Sequence, residues 1–142
     1  MKFMILLKAT AASEAGQMPS TELLTEMGRF NEQLVNAGVM ITGDGLHPTS
    51  RGARVVFSGD QRTVEEGPFP NTGQLISGFW MFEVKSRQEA IDWIKRCPNP
   101  MPGGRAEIEI RQVVGPEDFG EALTPELREA EERLRQRSEG RG

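Results

Sequence analysis

The chain has 142 residues, of which 37% are hydrophobic and 27% charged, and its formal net charge is −4. This length suits a single domain, and the composition lies outside the range of disordered chains. A net negative charge gives no reason to expect direct binding of nucleic acid, which needs a basic surface. No apolar run approaches the ~20 residues that span a bilayer. The single cysteine, Cys97, excludes an internal disulfide. We therefore predict a cytoplasmic protein with no membrane segment.

The first half of the chain contains the signals of a strand, a helix and a second strand. Residues 3–7 (FMILL) form a continuous apolar run, which is typical of a buried strand. Ser20 predicts the start of a helix whose apolar residues recur at helical spacing, and Gly38 predicts its end. Residues 39–42 (VMIT) predict the second strand.

The second half predicts a hairpin, a strand, a helix and a last strand. Residues 53–57 and 62–65 are β-rich and flank a Gly-Asp turn, which indicates a hairpin. Residues 76–85 have the strongest strand pattern. Its alternation predicts one face with Trp80, Phe82 and Val84 and an opposite face with Phe79 and Met81. Ser86 predicts the start of a helix. In residues 106–114 apolar and charged residues alternate, which predicts a strand with one solvent-exposed face.

Without the hairpin, this order of elements is the β-α-β-β-α-β pattern of a ferredoxin-like α+β domain. Two helices cover one face of such a sheet, and the other face needs a cover or must be polar. We predict that an identical chain covers it, which gives a symmetric homodimer. We place this domain at residues 1–116, and a charged C-terminal helix with a disordered tail from residue 138 at 117–142.

One turn-rich segment carries a family signature. Residues 66–74 (EGPFPNTGQ), followed by Gly-Phe-Trp at 78–80, resemble the D-G-P-F-x-E-T-K-E signature of the DGPF-type branch of the YCII-related family. Further similarities over residues 2–115 include the GDGLHP run at 43–48. Three charged residues of the signature are replaced here, by Asn71, Gly73 and Gln74.

The resemblance implies a ferredoxin-like fold of the dimeric α/β-barrel type. It also implies a suspected enzymatic function in a cleft with polar residues, often a His and an Asp, and an association with alternative sigma factors. These implications leave three hypotheses open. The protein is a homodimeric domain that binds a small molecule or acts as an accessory regulator, an enzyme, or an interaction module for a sigma-factor-related protein. We favour the first.

His47, the only histidine, is the candidate catalytic residue of the enzyme hypothesis, because histidine most often serves general acid–base catalysis. Asp44, three residues earlier, or Glu66 in the signature segment could orient its imidazole. The alternative explanation of each residue is a solvated position in a loop or at a strand end.

Gly67, Pro68 and Phe69 are predicted ligand-binding residues, together with Phe79 and Trp80, because small-molecule sites are mostly apolar. The alternative is that they are architectural, shaping a turn and packing the core. One histidine and scattered carboxylates do not make a zinc site, and the motifs for phosphate or dinucleotide binding are absent from the sequence. We therefore predict no metal and no cofactor.

Overall fold

The computed structural model describes residues 1–140, which divide into two compact units, one at residues 1–112 and one that begins at residue 113. The first unit contains β1 (Lys2–Lys8), α1 (Ala11–Glu14), α2 (Thr21–Asn36), β2 (Met40–Gly45), β3 (Ala53–Ser58), β4 (Gln61–Glu66), β5 (Ile76–Glu83), α3 (Arg87–Lys95) and β6 (Ile108–Gln112). Two short 3-10 helices lie at Thr49–Arg51 and Thr72–Gln74.

The main sheet has the strand order β2-β5-β1-β6, and every neighbouring pair is antiparallel. Together with α2 and α3, this is the predicted ferredoxin-like α+β topology. Strands β3 and β4 come between β2 and β5 along the chain, and they form a separate two-stranded sheet. Their two-residue turn contains Gly59 at a φ of 57°, a conformation that such turns require and glycine adopts freely.

The apolar core lies between one face of the main sheet and the helices. Its buried members are Phe3, Ile5, Phe30, Leu34, Val39, Trp80, Phe82, Val84 and Ala90. Helix α2 begins where the Ser20 hydroxyl accepts a hydrogen bond from the Leu23 N–H at 3.1 Å, and it ends before Gly38, which has a φ of 73°. Both ends lie where the sequence predicts them.

Strand β2 runs through Gly-Asp-Gly to Gly45, three residues beyond its predicted end. Gly43 lies opposite Trp80 in the sheet, and a Cβ at position 43 would lie 2.5 Å from the indole Cδ1. The absent side chain therefore makes room for Trp80. The indole Nε1 donates a hydrogen bond to Asn31 Oδ1 at 2.9 Å, and its ring packs edge-on against Phe30 at 5.9 Å.

The second face of the main sheet, the open face, has an apolar centre and polar edges. Met4 pairs with Met81 and Leu6 with Phe79 across β1 and β5, and all four side chains are half-buried. The residues beside them on the outer strands are Glu109 and Arg111 on β6, and Thr42 and Asp44 on β2. Lys8 also lies at the β6 edge, where its Nζ is 3.4 Å from Glu109 Oε1.

The second unit contains a 3-10 segment, Pro116–Ala122, and α4, Pro125–Glu139. The Thr124 hydroxyl accepts a hydrogen bond from the Leu127 N–H at 3.2 Å and begins α4. Ser138 and Glu139, which we assigned to a disordered tail, are the last residues of this helix. Residues 141 and 142 of the predicted tail lie outside the described residues.

Candidate functional site

A chain of hydrogen bonds joins three segments at one end of the main sheet. The Glu14 carboxylate accepts two hydrogen bonds from Thr49, one from its N–H at 3.1 Å and one from its hydroxyl at 2.6 Å. The Thr49 hydroxyl in turn accepts a hydrogen bond from the Phe69 N–H at 3.0 Å. These segments follow β1, β2 and β4, and the antiparallel register brings the ends of β1 and β2 to the start of β5.

The turn at Gly67, Pro68 and Phe69 packs closely against residues 49–52. The Gly67 N–H donates to the Gly52 carbonyl at 2.9 Å, and a Cβ at position 67 would lie only 1.7 Å from the Thr49 carbonyl oxygen. The Gly67–Pro68 peptide bond is cis. Position 67 therefore accepts no side chain without movement of backbone atoms.

Arg54 borders this turn, and Arg51 lies in the same 3-10 helix as Thr49. The Arg54 guanidinium carbon lies 3.9 Å above the centre of the Phe69 ring, a stacking geometry that suits guanidinium groups. Arg51 Nη1 lies 3.2 Å from both ring nitrogens of His47. Within residues 1–140, neither arginine forms a salt bridge. We call Glu14, Thr49, Arg51, Arg54 and Phe69 the Thr49 cluster.

The three proposed acid–base residues lie on different elements. His47 is exposed in the loop after β2, Asp44 is exposed in β2 opposite Phe79, and Glu66 is exposed at the end of β4. Among the residues that the structure describes, the His47 ring has a hydrogen-bonding contact with Arg51 and none with either carboxylate. The catalytic role of these residues stays a prediction.

The structure separates the two aromatic residues of the predicted ligand site. Trp80 is 8% exposed and faces the helices, whereas Phe79 is half-buried on the open face. Consecutive strand residues point to opposite faces, so these rings cannot line one pocket within a protomer. Phe79 shares the open face with Asp44, while Gly67, Pro68 and Phe69 adjoin Thr49.

The sequence did not single out Glu14, Thr49, Arg51 or Arg54. Glu14 and Thr49 are 35 positions apart, and a contact at this separation leaves no periodic pattern. One local signal was present, because Thr10 and Ser13 form a reciprocal capping pair that begins α1.

A groove of about 620 Å³ lies elsewhere, between α3 and β6. Its apolar lining includes Ile91, Ile94, Cys97, Pro98, Ile108 and Ile110, and contains none of the predicted site residues. Burial raises the pKa of the Cys97 thiol to about 11, so its reactive thiolate form is scarce at neutral pH. In residues 1–140, no three His, Cys, Asp or Glu side chains come together to hold a metal ion.

The fold and the site define a ferredoxin-like α+β domain with a polar loop cluster at one end of its sheet. The model of the YCII-related domain matches residues 1–114, and the chain therefore belongs to the YCII-related family. This agrees with the signature at residues 66–74. None of the helices that the structure describes has the length and apolar character needed to cross a membrane.

The individual proteins that this chain resembles share only 15–25% sequence identity with it. The chain is 25% identical over 91 residues to the uncharacterized protein R00369 of Rhizobium meliloti (strain 1021), an alignment that covers 64% of this chain and 73% of the relative. A solved structure that matches part of this one is that of 5-chloro-2-hydroxyhydroquinone dehydrochlorinase (TftG) from Burkholderia phenoliruptrix AC1100, in complex with 2,5-dihydroxybenzoquinone. The TM-score is 0.42 and the identity 15%, with 82% of this chain and 98% of that one covered.

Proposed function

We propose that this protein is a homodimeric domain that binds a small anionic molecule at the Thr49 cluster. The observation that carries the proposal is the hydrogen-bond chain from Glu14 through Thr49 to Phe69, which fixes a loop and a turn together. A binding site that is already ordered loses little conformational entropy when its ligand binds.

Charge favours an anionic ligand at this cluster. The Glu14 carboxylate is engaged by Thr49, whereas the Arg51 and Arg54 guanidinium groups have no carboxylate partner within residues 1–140. A guanidinium group offers paired donors that match the two oxygens of a carboxylate, and stacking on Phe69 limits the motion of Arg54.

The open face supports the dimer. Met4, Leu6, Phe79 and Met81 form an apolar centre between polar edges, which is the arrangement of many protein interfaces. A second copy that covers this centre would lie close to Asp44 of the first copy. It would also lie close to the end of β2, after which the loop with His47 begins.

A thermal-shift screen with small organic acids tests the binding proposal. A ligand at 100 times its Kd should stabilise the wild-type protein by about 2.7 kcal/mol. Arg51→Ala should remove most of this shift, whereas Arg29→Ala, at an exposed position of α2, should retain it. A screen without any stabilising acid, or equal shifts in both variants, would refute the proposal.

Light scattering tests the dimer separately. The wild-type protein should have twice the 15.8 kDa mass of one chain, or a multiple of that. Met81→Glu places a charge in the centre of the open face and should abolish this association, while Val35→Glu, on the surface of α2, should not. Unchanged association of Met81→Glu would show that the open face is not the interface.

A further inference from the structure

The β3–β4 hairpin has one apolar and one polar face. Directly paired residues share a face, and the pairs Ala53–Glu66, Val55–Val64 and Phe57–Arg62 alternate with the pairs Arg54–Glu65, Val56–Thr63 and Ser58–Gln61. The Arg62 guanidinium lies 4.4 Å above the Phe57 ring, as expected for side chains on one face. We call the first three pairs the hairpin apolar face.

This face is uncovered in the protomer. Val55 is 52% exposed, Phe57 68% and Val64 60%, and neither strand is hydrogen-bonded to the main sheet. A two-stranded hairpin is only marginally stable alone in water, and exposed apolar clusters commonly mark contact surfaces. The hairpin apolar face therefore has the character of a contact surface.

The order of residues along the face identifies its partner. Ala53 and Glu66 lie at the base of the hairpin, Val55 and Val64 in the middle, and Phe57 and Arg62 at the tip. Rotation of a second copy by 180° about an axis across the strands places base over tip. Glu66 of each copy then faces Arg62 of the other, small Ala53 faces large Phe57, and each valine faces its own equivalent.

We propose that the hairpin apolar face is a self-complementary surface that binds the same face of a second copy of this chain. Its pattern meets the requirement of a two-fold interface, in which one patch complements itself in both charge and size. Arg62 is held at the tip by hydrogen bonds of 2.9 Å to the carbonyls of Gly59 and Gln61, so its charge is already positioned.

The hairpin contact is an interface additional to the open face. Four apolar side chains per copy cover less than the ~800 Å² per partner of a standard interface. We therefore expect the hairpins to join dimers that the open face holds together. Two different two-fold interfaces on one chain give a tetramer, a common closed assembly.

Charge-reversal variants test this surface in the full-length protein. Arg62→Glu places glutamates opposite glutamates, and Glu66→Arg places arginines opposite arginines. Each variant alone should lose the hairpin contact and show half the wild-type mass by native mass spectrometry. An equimolar mixture should regain the wild-type assembly, because each hairpin of one variant then meets the complementary charges of the other. Thr63→Glu, on the polar face, should behave like the wild-type protein.

The outcomes separate this proposal from the open-face dimer. Wild-type tetramers that become dimers in both variants, and re-form on mixing, support both interfaces. Wild-type dimers that become monomers in both variants and re-form on mixing support the hairpin contact and contradict the open-face dimer. Wild-type mass in either single variant, or a mixture that stays at half mass, would overturn the hairpin proposal. A wild-type protein that is monomeric would overturn it too.

Discussion

A single methyl group at position 67 should strongly destabilise the first unit. In Gly67→Ala the new Cβ would lie 1.7 Å from the Thr49 carbonyl oxygen and 3.2 Å from that of Gly52, so backbone must move. Overpacking of this kind costs about 1–3 kcal/mol. Movement of the turn also loosens the hydrogen bond from Gly67 to Gly52, worth about 1 kcal/mol. Together these terms predict a loss of about 2–4 kcal/mol in the free energy of unfolding.

Urea unfolding followed by tryptophan fluorescence measures this loss, because Trp80 and Trp93 both belong to the first unit. With a denaturant slope of about 2 kcal/mol per molar, a loss of 3 kcal/mol lowers the midpoint by about 1.5 M. Gly73→Ala is the matched control, because a Cβ there meets nothing within 4 Å. Equal midpoints for the two variants would refute the steric argument.

Three further predictions concern individual side chains. In a double-mutant cycle, Glu14→Gln and Thr49→Val should show a coupling energy of about 1–3 kcal/mol in urea unfolding, and additive effects would contradict the observed contact. Cys97, with its pKa raised to about 11 by burial, should react with iodoacetamide at pH 8 about 100-fold more slowly in the folded than in the unfolded chain. A hydrogen bond from Arg111, aided by the charge of Lys8, lowers the pKa of Glu109. The ionised Glu109 carboxylate therefore stabilises the folded chain above the ordinary carboxyl pKa, and this stabilisation is lost as the pH falls through the lowered pKa. Arg111→Ala should raise this pKa in a carboxyl NMR titration, and an unchanged value would exclude Arg111 as its main cause.

Apart from the short helix α1, the regular elements of the first unit could be predicted because each has a local cause. Ser20 and Gly38 set the ends of α2, and the alternation in β5 correctly placed Trp80 and Phe79 on opposite faces of the sheet. The β3–β4 hairpin follows directly from its Gly-Asp turn. Such signals lie within a few residues of the structure that they specify, so one sequence is enough to recognise them.

The parts that escaped prediction depend on contacts between distant residues. Strand β2 extends through Gly43 because Trp80, which is 37 positions away, fills the space beside it. The contact of Glu14 with Thr49 likewise depends on how β1 and β2 are brought to the same end of the sheet. Glycine-rich and polar segments have low strand propensity, and only the assembled sheet determines what they do.

The close approach of Gly43 and Trp80 also constrains how this sequence can change. The two positions share one volume, so a larger residue at 43 requires a smaller one at 80. Loss of the indole would in turn leave the Asn31 side chain without the donor that now joins the sheet to α2. Positions 31, 43 and 80 therefore form a linked set, and substitutions that are harmful one at a time become acceptable only in combination.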